Sequence, residues 1–168
     1  MLAGSKEEFG IEIQLVQTLD DWTYGRFAFW LDNHLVGDWS DESVDLNACM
    51  EWLRDFVEHS RDRYEPGLFT MNKDAAYRAL CDGVIIQDSD ADSKIERYDS
   101  TFSRFHISHL GMSSFEHVTL LLVEDEVGRQ RCIWQQRSQE VQEAFLPPVC
   151  MQRIASECVT RFSPALGG

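Results

Sequence analysis

Basic residues are scarce in this sequence. Fifteen lysines and arginines stand against 29 aspartates and glutamates, a formal charge of −14 across 168 residues. Such a surface repels phosphate backbones, which excludes nucleic acid as an expected direct partner. It attracts basic proteins and speeds their encounter. Cysteine is also thin: Cys49, Cys81, Cys132, Cys150 and Cys158 are odd in number, scattered and free of any C-x-x-C. That pattern excludes a disulfide framework and a zinc site, and the five read as reduced, mostly small core residues. No apolar run reaches membrane-spanning length, so no membrane partner is expected. The start, "MLAGSKEEFG", lacks the basic patch and apolar stretch of a secretory signal, and a cytoplasmic location is expected.

The common catalytic signatures are missing as well. There is no G-x-S-x-G, no P-loop and no H-E-x-x-H. Carboxylate pairs abound, but in a chain this acidic no pair stands out as a dyad. Repeats, low-complexity tracts and a convincing linker are all absent. What is present is ordinary globular material, 43% hydrophobic and 26% charged. A chain of this length buries roughly 70% of its unfolded surface and needs no metal or disulfide to fold. One domain is expected over residues 1–168, with 1–8 and 163–168 frayed.

The order of patterns is strands, helices, strands, helix. It predicts an α+β fold, mainly an antiparallel sheet packed against two to three helices. Phe9, Ile11, Ile13 and Leu15 alternate with polar residues or glycine, as in a strand. "LDDWTYG" reads as a turn. Phe27, Phe29 and Leu31 share one face of a second strand and Ala28 and Trp30 the other. Asp32-Asn33 suits a tight hairpin, and Gly37-Asp38 a bulge or strand end. Residues 40–64 contain the clearest helix, capped by Ser43 or Asp41. Leu46, Cys49, Met50, Leu53, Phe56 and Val57 form its core face. A shorter helix covers "NKDAAYRALC", capped by Asn72 and stopped near Gly83. "VIIQ", "RFHISHL", "HVTLLLVE" and "RQRCIWQQ" read as strands, the last two joined by a loop with Gly128. "EVQEAFL" fits either state. A final helix follows Pro147, with Val149, Ile154, Cys158 and Phe162 in helical rhythm and Pro148 a candidate first residue.

Two acidic groups are candidates for binding. Glu51, Asp55, Glu58 and Asp62 recur at steps of four, three and four, and line one face of the first helix. Arg54 and Arg61 sit nearby and can pair with them, so the ordinary reading is a solvated helix face. The functional reading is a docking face for lysines and arginines, with Trp52 at its edge as an aromatic anchor. The second group is "DSDADSKIERYD", residues 88–99. Asp88, Asp90, Asp92 and Asp99 fall at positions one, three, five and twelve of an EF-hand loop. Ser93 stands where the turn needs glycine, and the short Asp99 stands where a bidentate glutamate belongs. The preceding "GVIIQ" is not helical in pattern either. "HISH" places His106 and His109 three apart, which on a strand sends the rings to opposite faces.

"EEFGIEIQLV" followed by "GRFAFWLDNHLVGDW" resembles the start of bacterial polymorphic-toxin immunity proteins. The matching residues are Phe9 to Glu12, Gly25 to Leu31 and Val36 to Asp38. "RQRCIWQQR", residues 129–137, is similar to a late strand of the same group, with Ile133-Trp134 at its centre. The family resembled is immunity protein 42 or a close relative. The resemblance implies a cytoplasmic, non-enzymatic immunity protein without a cofactor. It implies that the aromatic hairpin is scaffold. It also implies a partner: a cognate toxin C-terminal domain, expected to be a basic nuclease, whose active site is masked. Delivery by contact-dependent growth inhibition is one route. The expected contacts are Glu51, Trp52, Asp55, Glu58 and Asp62, with Asp88, Asp90 and Asp92. The alternatives are a calcium module on residues 88–99, with Asp99 as a further ligand, and a small hydrolase with an unrecognised site.

Overall fold

In a computed structural model, described at residues 1–59, 62–81, 104–108 and 112–162, the chain divides into two compact units. The first comprises residues 1–60, 109–118 and 149–168; the second comprises 61–108 and 119–148. Both build antiparallel sheet with helix against it, the α+β class expected from the pattern.

The first unit is organised by a long hairpin. Strand β2 (Phe9–Leu19) pairs antiparallel with β3 (Trp22–Leu31), with a register shift between Leu15 and Gln17. Strands β1 (Leu2–Gly4) and β4 (His34–Val36) flank them, and β5 (Val44–Asp45) adds to β3 at Tyr24 and Gly25. Residues 1–8 were expected to fray. Instead Leu2–Gly4 form a strand, because buried Ala3 packs opposite Ile11 and the Met1 ammonium donates to the Ile13 carbonyl at 2.5 Å. Asp32 and Asn33 both adopt positive φ, 48° and 63°, and close the β3–β4 hairpin as their side chains allow. The "LDDWTYG" turn is shorter than its composition suggests. Only Asp20-Asp21 turn, and Trp22 to Gly25 are already strand.

Helix α1 (Leu46–Glu58) begins at Asp45, whose carboxylate accepts from the Asn47 and Ala48 amides at 2.9 and 3.1 Å. Asp41 and Ser43, the caps expected from sequence, are tied to each other one turn earlier, Ser43 Oγ to Asp41 Oδ1 at 2.6 Å. Helix α3 (Cys150–Phe162) packs on α1, β1 and β2. It starts after Pro148, not on it, because Val149 holds a left-handed φ of 52° and lies exposed outside the helix.

The core of this unit is aromatic. Phe29 lies 5.7 Å from Phe9, 5.3 Å from Phe27, 5.2 Å from Phe115 and 6.4 Å from Trp52, ring centre to ring centre. Each buried ring contributes about 2–3 kcal/mol through burial alone, with a further increment from tilted packing. Gly25 lets α1 approach: a Cβ there would stand 2.1 Å from the Gln14 carbonyl oxygen and 2.9 Å from Leu46 Cδ1.

The second unit carries the sheet β6-β7-β8, formed by Val118–Glu124, Gln130–Gln136 and Gln142–Leu146. The ambiguous "EVQEAFL" is thus strand. Asp125 stitches the loop to Gly128, accepting from the Val127 and Arg129 amides at 3.1 and 2.8 Å. Helix α2 (Lys73–Cys81) is capped by Asn72 as expected and packs on β7. Leu80, Phe105, Leu121, Val123 and Ile133 form its core with Leu68, Ala76 and Val141. "RFHISHL" is not a continuous strand. Arg104 and Phe105 are helical and His106 makes one isolated bridge to Leu121, since Phe105 is drawn into the apolar cluster. "VIIQ", Gly83 and His109 lie outside the described residues.

Candidate functional site

Three of the expected stripe residues do share the exposed face of α1. Glu51, Asp55 and Glu58 are all solvent-exposed, and Asp55 meets the His59 ring at 2.9 Å, one turn on. Asp62 does not continue the stripe. The helix ends at Glu58, with His59 as its C-terminal cap, so helical spacing no longer applies. Asp62 lies in the second unit, where it accepts from the Tyr64 amide at 3.0 Å and stands 3.8 Å from the Arg104 guanidinium. Trp52 is half-buried. Its ring stacks on Phe56 at 5.2 Å and joins the core cluster, leaving part of it exposed. Asp88, Asp90, Asp92 and Asp99 lie outside the described residues. Among the described residues no group of three or more His, Cys, Asp or Glu is placed to hold a metal ion.

The structure adds an exposed feature that the sequence reading passed over. The β2–β3 hairpin ends in Leu19-Asp20-Asp21-Trp22, with Leu19 and Trp22 directly paired across the strands and 57% and 53% exposed. Leu15 and Val16, beside the register shift, are exposed too. Asn47 in the first turn of α1 grips this tip. Its side-chain oxygen accepts from the Thr23 amide at 2.9 Å and its amide donates to the Asp21 carbonyl at 3.4 Å. The signal was available: two acidic turn residues between strand-forming neighbours, the same punctuation that marked Asp32-Asn33.

In the second unit a shallow cleft of about 300 Å³ is lined by Tyr64, Phe69, Asp125, Glu126 and Arg129, among others. Its polar groups bond to one another. Tyr64 donates to Glu126 at 3.0 Å, which raises the phenol's pKa. Burial acts to raise the Asp125 pKa, but its bonds to Arg129 and Val127 outweigh it and leave the carboxyl below the usual range. The same unit buries Arg131, 2% exposed and unmarked in the sequence. It binds Glu143 at 2.6 Å and the Leu68 and Phe69 carbonyls at 2.8 and 3.0 Å. Burial also sets the thiols: Cys158 is pushed up to about 12 and Cys49 higher, so both stay protonated and unreactive.

An α+β frame with carboxylates on an exposed helix face and an apolar hairpin tip has the features of a protein that binds another protein. Comparison with known sequences makes the class specific. The profile of the family described as Immunity protein 42 matches residues 1–161, and the chain belongs to that family. Its role is therefore that of an immunity protein, which binds and neutralises a cognate toxin. The fold is similar to the crystal structure of CdiI from Burkholderia dolosa AUO158, with a TM-score of 0.76 at 20% identity over 96% of this chain and 99% of that one. No curated protein matches the sequence. No helix among the described residues is long and apolar enough to cross a membrane.

Proposed function

We propose that this chain neutralises a basic nuclease toxin by covering its active site, without chemistry of its own, in the cytoplasm of the cell it protects. The toxin would be the C-terminal domain of a larger secreted protein, delivered by contact-dependent growth inhibition. The observation that carries the reading is the excess of 14 negative charges in a member of an immunity family. A nuclease must hold a polyanion, so its cleft is cationic. A rigid acidic protein imitates that polyanion, is steered to the cleft and then seals it with buried contacts. Glu51, Asp55 and Glu58 supply part of the acidic surface. Asp62, Asp88, Asp90 and Asp92 are further contacts in this proposal. An interface of standard size, about 1,600 Å², suffices, with affinity set by a few desolvated anchors.

The test is association kinetics with the purified cognate toxin domain. The association rate should fall at least tenfold between about 0.02 and 0.5 M salt, while dissociation changes far less. A rate indifferent to salt would remove the polyanion mimicry and leave the immunity role standing.

A further inference from the structure

We propose that the tip of the β2–β3 hairpin is the docking anchor for the toxin, Leu19 and Trp22 entering an apolar pocket whose rim is cationic. The proposal rests on the immunity reading and says where the contact is made. Single exposed apolar residues are ordinary on a protein surface. A tryptophan and a leucine in direct cross-strand register at a hairpin head, both more than half exposed, form an apolar pair, and apolar patches mark interaction sites. Among the described residues Trp22 has no part in the aromatic core, whose rings cluster around Phe29, further along β3.

The patch is held ready. Asp45 caps α1, Asn47 in its first turn clasps both Asp21 and Thr23, and β5 pairs with β3 at Tyr24 and Gly25. A tip fixed at its base loses little conformational freedom on binding, which favours affinity. Tryptophan is the residue most enriched among interface anchors.

Charge decides what occupies it. Asp20 and Asp21 sit at the turn itself. Asn47, Glu51 and Asp55 follow at steps of four along one helix face, with Glu58 a further three on, so the acidic stripe runs from the residue that clasps the tip. An apolar pair framed by carboxylates fits a partner with a hydrophobic pocket ringed by lysine and arginine, as a blocked polyanion cleft would present. A neutral apolar partner would leave those carboxylates desolvated without counter-charge.

The experiment measures affinity for the purified cognate toxin domain, using the full chain with Leu19→Ala and Trp22→Ala together. Both side chains are exposed, so the melting temperature should stay within about 2 °C of wild type. Affinity should fall at least about 30-fold, the size expected of an anchor. Asp21→Lys, which leaves the apolar pair in place, should slow association several-fold. Val127→Asp, at an exposed apolar position in the second unit, should leave affinity unchanged. Tight binding by the alanine pair, within threefold of wild type, overturns the docking surface and leaves the immunity reading intact. So does loss of binding confined to Val127→Asp. Failure of the wild-type chain to bind the toxin at all overturns the immunity reading beneath it.

Discussion

The two units use different residues to hold their strands in place. In the first, three phenylalanines and Trp52 crowd around the Phe29 ring, and the sheet carries its core in a period-two pattern. In the second, a smaller apolar cluster is joined by a buried arginine that ties the Leu68–Phe69 segment to the β7–β8 pair. Apolar packing is non-directional and tolerates some loss of shape. An arginine with 2% of its side chain exposed is satisfied only while every partner stays in place.

The comparison can be broken by substitution, and the largest effects belong to the aromatic unit. Phe29→Ala should cost about 3–5 kcal/mol in chemical denaturation, since it leaves a cavity among four neighbouring rings. Gly25→Ala should approach this, because the added Cβ meets backbone that cannot swing aside. Arg131→Ala should cost about 3 kcal/mol through the stranded partners, while Arg131→Met should recover much of it by packing. A methionine variant as damaged as the alanine would show that the hydrogen bonds, not the volume, hold the second unit. Asp45→Ala, which removes the α1 cap, should cost about 1 kcal/mol and loosen the tip that Asn47 clasps.

A smaller effect distinguishes the first unit by pH. Burial acts to raise the Asp41 pKa, but hydrogen bonds from Ser113 and Ser43 outweigh it, and the carboxyl lies below its ordinary value. A depressed folded-state value means the stabilisation is whole at neutral pH. It fades as pH falls below about 4 and is gone once the folded carboxyl is protonated. Asp41→Asn should therefore lower stability at pH 7 and flatten this part of the acid limb in pH-dependent melts. Smallest of all, Tyr64→Phe should leave stability in chemical denaturation unchanged, because its bond to Glu126 is exposed.

Legibility followed the same divide. The Asp32-Asn33 hairpin, the α1 core face and the Asn72 cap were readable because each is a local rule: backbone angles, a 3.6-residue period, a side chain reaching its own amides. Errors came where distant residues intervened. Asp62 matched the helical period but the helix had already ended, and Val149 matched it from outside the helix. "RFHISHL" looked like a strand until Phe105 found the second unit's core. The turn at "LDDWTYG" was read too long, over residues that are strand from Trp22, because Leu19 and Trp22 are apolar without being buried and alternation alone does not say which face has cover.

By itself the sequence determined the α+β class, because its two-residue and 3.6-residue rhythms are properties of neighbours along the chain, and the aromatic hairpin motif carried the resemblance to immunity proteins. Only the tertiary structure decided which carboxylates share a face, that Arg131 is buried, and that Trp22 stands in solvent clasped from behind by Asn47. Exposure and pairing across the fold depend on residues far apart in sequence, and no local pattern encodes which of them will meet.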